Sequence, residues 1–230
     1  MYDGRTDFGA GRTFGHGNMG EATEVGDGVE EVAYPHGQAA TPHGTEQNMA
    51  DELHGKRVAI LAADGVERVE LEQPRQALQD AGATTELLSL HDGEIQARDH
   101  DMDAAGTFPV DALVKSASID DYDALVLPGG TVNPDKLRVD SAAVGFVRDF
   151  MAAGKPVAAI CHGPWTLIEA GAAAGRTLTS YPSIRTDLRN AGANVVDEEV
   201  ARDGNLVTSR SPEDLPAFCS AIVELFSQAR

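Results

Sequence analysis

Lys155-Pro156-Val157-Ala158-Ala159-Ile160-Cys161-His162-Gly163-Pro164 decides the fold of this chain. A short apolar run ends at a cysteine. A histidine follows, then Gly-Pro, then a helical spacing of Trp165, Leu167 and Ile168. The pattern predicts a buried strand, a sharp turn and a helix, with Cys161 at the apex. Such a turn lifts the sulfur out of the sheet and aims a helix N-terminus at it, which favours the thiolate. It is the thiol counterpart of the serine nucleophile elbow.

The same alternation extends on both sides. Continuous apolar runs predict buried strands at 57–62, 84–90 and 122–127, with short strands near Leu178 and Leu206. Helical spacing predicts helices over 67–81 and over 141–153, the second capped by Ser141, and a last helix from about Pro212. Residues 91–118 are polar and irregular and read as turns or a hairpin. Strands alternating with helices make a doubly wound parallel α/β sheet, whose ligands bind beyond the carboxyl ends of the strands. Three strands end in Asp64-Gly65-Val66-Glu67, Pro128-Gly129-Gly130 and Cys161-His162-Gly163. If they are neighbours, Glu67, the glycines and Cys161 share one pocket.

The chain has 230 residues, 42% hydrophobic, a formal charge of -19 and a pI near 4.5. A surface this acidic repels phosphates, so no nucleic-acid partner is expected. No apolar run approaches the roughly 18 residues of a membrane span, and the Gly-rich acidic start shows no signal peptide, so a cytoplasmic protein is the default. Residues 1–52 hold ten of the 24 glycines and an excess of acids, and read as a flexible tail. Residues 53–230 read as one α/β domain. His16, His36, His43 and His54 lack metal-ligand spacing, and neither a metal nor a cofactor is called for. Of the two cysteines, Cys219 lies in a helical pattern and reads as a buried, inert thiol.

Glu67 either complements a helix N-terminus or presents a carboxylic acid to Cys161, where burial and a like charge raise its pKa. Gly129 and Gly130 either serve a turn or offer backbone N–H groups to an oxyanion. His162 is the only histidine after Cys161. A class I glutamine amidotransferase shares the elbow but takes its histidine and glutamate from downstream, so that triad is excluded. His162 is the candidate base, and a third group must orient it. Residues 99–103, Asp-His-Asp-Met-Asp, read as a solvated loop.

From Lys56 to Phe226 the chain resembles the PfpI family (intracellular protease I), in the class I glutamine amidotransferase-like superfamily that includes the Parkinson disease protein deglycase. The matching stretches are Glu67-Arg68-Val69-Glu70-Leu71, Asp123 to Gly130, Pro134 to Arg138, Lys155 to Pro164, Thr179 to Leu188, Asn190 to Ala193 and Asp203 to Arg210. The resemblance implies a flavodoxin-like sandwich and a reactive cysteine, with Cys161 as nucleophile, His162 as triad histidine and Glu67 hydrogen-bonded to the sulfur. It further implies an acid from a neighbouring subunit, matched by Asp135, and hence a homodimer or homohexamer. The activity implied is that of a stress-response deglycase or glyoxalase on small carbonyl compounds or glycated protein side chains. A cysteine peptidase, and a redox sensor or chaperone, are the alternatives.

Overall fold

The computed structural model describes residues 52–228. The tail expected over residues 1–52 lies outside the described residues, save for Glu52. In chain order the elements are β1 (Arg57–Leu61), β2 (Val66–Glu67), α1 (Arg68–Asp80), β3 (Thr84–Ser89), β4 (Glu94–Asp99), β5 (Asp103–Pro109), β6 (Ala112–Leu113) and β7 (Ala124–Leu127). They continue with α2 (Val132–Leu137), α3 (Ser141–Ala152), β8 (Val157–Ile160), α4 (Pro164–Glu169), β9 (Thr177–Leu178), α5 (Arg185–Asn190), β10 (Asn194–Val195), β11 (Val200–Asp203), β12 (Leu206–Ser209) and α6 (Leu215–Ser227). None of these helices is long and apolar enough to cross a membrane.

Seven strands form one sheet in the order β11-β12-β8-β7-β1-β3-β6. Every pairing is parallel except β11 with β12. The central strands are buried on both faces, which is why they read as unbroken apolar runs. Alternate residues serve opposite cores. Val58 and Ile60 of β1 pack with Leu71, Leu78, Phe218 and Ile222 of α1 and α6. Ala59 and Leu61 pack with Phe146 and Phe150 of α3 and Leu167 of α4. The chain winds from β1 outward to β3 and β6, then returns to β7 on the other side of β1. That reversal opens a crevice at the carboxyl ends of β1, β7 and β8, where the three unusual strand ends meet.

One local reading needs correction and one needs sharpening. The cap of α3 is Asp140, whose carboxylate accepts the N–H groups of Ala142 and Ala143 at 2.9 Å each. Ser141 is the first helical residue instead. Residues 99–103 are largely solvent-facing, as a solvated loop should be, but they are tied down. They form the tip of the β4–β5 hairpin, with His100 and Asp101 in left-handed backbone at φ 52° and 63°. Glu67 ties this tip down, accepting the N–H groups of His100 and Asp101 at 3.1 Å each. Asp101 in turn accepts from Thr131 N–H at 2.6 Å and Thr131 Oγ1 at 3.0 Å.

The elbow itself is tightly packed. A Cβ on Gly163 would strike the carbonyl oxygens of Leu127 and Ile160, both backbone atoms of core strands. Backbone cannot yield as a side-chain end does, so Gly163→Ala should cost about 2 kcal/mol or more. Thermal denaturation should show a melting temperature lowered by several degrees. An unchanged value would mean that the turn can reopen.

Candidate active site

Cys161 follows β8 directly with φ 60°, a conformation rare for a residue bearing a Cβ. Three hydrogen bonds hold it there. Its N–H donates to Ser209 O at 3.1 Å, its carbonyl accepts Tyr181 N–H at 2.9 Å, and Gly163 N–H reaches back to Ile160 O at 2.8 Å. The side chain is buried but opens on a cavity of about 210 Å³. The backbone N–H groups of Gly130 and His162 point at the sulfur.

The carboxyl at the sulfur is Glu70, not Glu67. Glu70 lies on the inward row of α1 with Pro74 and Leu78 and is fully buried. It hydrogen-bonds Cys161, and its Oε2 accepts Gly129 N–H at 2.8 Å. Its Oε1 has no conventional hydrogen-bond partner among the described residues. A buried carboxylate with one backbone donor is poorly solvated, so burial pushes the Glu70 pKa up from 4.5 to about 8. Glu67 stands one helical turn earlier, lines the same cavity and spends its carboxylate on the hairpin tip. Sequence spacing alone could not separate two acids three residues apart on one helix face. The signal for Glu70 was its place in the buried 70, 74, 78 row.

Burial and the neighbouring charge of Glu70 push the Cys161 thiol up, against the pull of the two backbone N–H groups. The two groups titrate as a pair. While Glu70 keeps its proton, its repulsion on the sulfur is absent, and the acid can donate a hydrogen bond to a thiolate. The helix after the elbow, α4, is only six residues long, so the local N–H groups matter more than a long macrodipole. Cys219 is a half-buried residue whose pKa burial raises to about 11.

His162 Nδ1 lies 3.2 Å from Cys161 Sγ, and Nε2 lies 2.9 Å from Ser183 Oγ. The imidazole stacks on Tyr181 with ring centres 4.7 Å apart. Burial holds its pKa below the ordinary histidine value, so the ring is neutral at neutral pH. Ser183 is the orienting group within one chain, and its hydroxyl can donate or accept as the imidazole changes tautomer. It lies in the Thr179 to Leu188 stretch, where nothing in the spacing marks the serine. Asp135 faces solvent in the first turn of α2. The glycines also divide their work. Gly129 N–H is taken by Glu70, while the N–H groups of Gly130 and His162 are directed at the Cys161 sulfur. A Cβ at Gly129 would fall 2.5 Å from Glu70 Oε2 and 2.7 Å from Cys161 Cβ, which explains a glycine there.

Ser183→Ala should slow iodoacetamide alkylation of Cys161 about fivefold at neutral pH, the worth of one neutral hydrogen bond near 1 kcal/mol. Ser183→Thr should restore the rate. Equal rates for all three proteins would remove Ser183 from the relay.

Comparisons with known proteins show the family. Residues 56–225 match the model of the DJ-1/PfpI family. The chain is 43% identical over 169 residues to a deglycase of Pyrococcus abyssi, covering 74% of this chain and 98% of that protein. It is 42% identical over 165 residues to general stress protein 18 of Bacillus subtilis, covering 71% and 94%. The solved structure of Drosophila melanogaster DJ-1beta superposes with a TM-score of 0.68 at 31% identity, over 75% of this chain and 90% of that one.

Proposed function

This chain belongs to the DJ-1/PfpI family, and from that premise we propose that it is a cysteine-dependent hydrolase of α-oxoaldehyde adducts, a deglycase or glyoxalase of the stress response. One observation carries the reading: a strained Cys161 whose sulfur meets both the buried carboxyl of Glu70 and the imidazole of His162. The small cavity supports a small carbonyl substrate over a folded polypeptide. The names of the relatives, deglycase and general stress protein, support it as well.

The chemistry follows from the geometry. Cys161 sulfur attacks the aldehyde-derived carbon of a methylglyoxal or glyoxal adduct, and the amine leaves with a proton. Glu70 is the proton donor on hand, with its pKa near 8. Gly130 and His162 N–H groups steady the resulting oxygen. In the hemithioacetal, His162 takes the proton from the sulfur-bearing carbon and a proton is returned to the adjacent carbon. That internal transfer leaves a 2-hydroxy thioester with no outside oxidant. Water then releases the hydroxy acid and frees the thiol. Asp135 from a second copy would add a charge near His162 in a homodimer or homohexamer.

The full chain should release lactate from methylglyoxal, with catalytic efficiency well above its hydrolysis of casein. Casein cleavage without lactate would move the reading to a peptidase. Peroxide-dependent change of Cys161 with no turnover of either substrate would move it to a redox sensor.

A further inference from the structure

The cavity above Cys161 is walled by acids. Glu67, Glu70, Asp101 and Glu213 line it with Cys161 and His100, and no lysine or arginine is among the described residues lining it. Glu213 sits at the exposed rim, held below the usual carboxylate range by hydrogen bonds from the Ser211 side chain and its own backbone N–H. His100 is the one basic side chain on the wall, and it faces Glu213. Arg210, beside the rim, is already committed: its Nε and one Nη reach Asp214 at 2.8 and 3.0 Å, and the other Nη reaches Asp197 at 3.0 Å.

Two observations show that this field acts inside the cavity. The charges of Glu67 and Asp101 help keep the proton on Glu70, and Asp101 acts on His162 in the same sense. Independently, Glu70 is fully buried with Oε2 taken by Gly129 N–H and Oε1 without a conventional partner among the described residues at the cavity wall, so the carboxyl proton on Oε1 is left to the sulfur or to a bound molecule.

We propose that this pocket selects its substrate by charge: it accepts neutral α-oxoaldehydes, prefers adducts borne on a guanidinium or ammonium group, and rejects adducts bearing phosphate or carboxylate. The choice of adducts rests on the hydrolase reading above. The physical reason is direct. An anion entering a cavity of about 210 Å³ beside several carboxylates meets repulsion, with His100 the single basic side chain on the wall to set against it, while a cationic head gains attraction at the same rim. Low-dielectric walls focus such a field.

The test separates access from turnover. Cys161 in the full chain is labelled with methanethiosulfonates carrying an ammonium or a sulfonate head, and each rate is divided by that reagent's rate on N-acetylcysteinamide. The normalised ammonium-to-sulfonate ratio should be about 10 or more. It should fall at least threefold in Glu213→Lys, a rim change away from the reacting atoms. It should also shrink toward unity near 1 M salt, where screening acts within about 3 Å. In a second arm, the kcat/KM for methylglyoxal-treated Nα-acetylarginine amide should exceed that for methylglyoxal-treated guanosine monophosphate by a similar factor. A normalised ratio of one, unmoved by Glu213→Lys, overturns the inference, and so do equal kcat/KM values. A charge-selective label on a protein that turns over no adduct sinks the hydrolase reading, yet supports charge-selected access to Cys161.

Discussion

Cys161→Ala should lower lactate release by a factor of roughly 10⁴ or more, the usual cost of deleting a nucleophile from a covalent mechanism. The fold should stay intact. Alanine keeps the Cβ, so the backbone cost at φ 60° is unchanged. The lost sulfur packs on the core on one side and borders the cavity on the other, so only part of a small side chain's packing is forfeited. The same change removes the hydrogen bond between the thiol and Glu70, worth about 1 kcal/mol. The net stability change should stay within about 1 kcal/mol, a few degrees in Tm. Steady-state kinetics and thermal denaturation on the same preparation check both halves. Turnover within tenfold of the parent would mean that His162 or Glu70 works on substrate without the thiol. A collapse in Tm would mean that Cys161 is chiefly structural.

Much of this was legible in the residues. Val157–Ile160 and the elbow are where the apolar run and the Cys-His-Gly-Pro stop place them, because a strand buried on both faces has no polar residues to blur its ends. Gly163 was readable as a turn residue, though the carbonyls of Leu127 and Ile160 that demand it come from the fold. Three elements were not placed by any clear sequence signal. The hairpin β4–β5 has one largely exposed strand, so its alternation is weak. The helix α2 is only six residues and follows Gly-Gly and Thr. The strand β11 is an antiparallel edge with a mixed pattern. A hairpin was readable over 91–118 but its tip was not placed, which hid the role of Glu67, since its two donors sit on that tip. With Glu67 free in the reading, it stood in for Glu70. Ser183 was illegible for a different reason: a serine 21 residues from His162 is ordinary in sequence, and only the turn after Tyr181 brings it to Nε2. Asp135 rests on resemblance alone. It faces solvent here, and its proposed work needs a second copy.

Glu70→Gln should make the protein more stable and less active, and the stability gain should depend on pH. In the folded state burial raises the Glu70 pKa from 4.5 to about 8. Between those values the unfolded chain has lost this proton and the folded protein still holds it, so folding takes up a proton. Stability from this group is fully present below pH 4.5 and is lost as pH rises toward 8, with a slope near 1.4 kcal/mol per unit. At pH 7 the penalty is therefore on the order of 3 kcal/mol. Glutamine has no such proton to lose and can still accept from Gly129 N–H. The variant and the parent should have similar stability near pH 4.5, and the gap should widen up to about pH 8. His162 moves the other way, since its pKa is held below the ordinary value, but it does so in both proteins and drops out of the difference. Turnover should fall about 100-fold, because an amide can donate a hydrogen bond to sulfur but cannot give the leaving amine a proton. The alkaline limb of the activity profile near pH 8 should vanish with it. Urea unfolding of both proteins at several pH values from 4.5 to 8 measures the gap directly. A gap that stays constant with pH would show that Glu70 is ionised throughout, and the neutral acid at the sulfur would have to be abandoned.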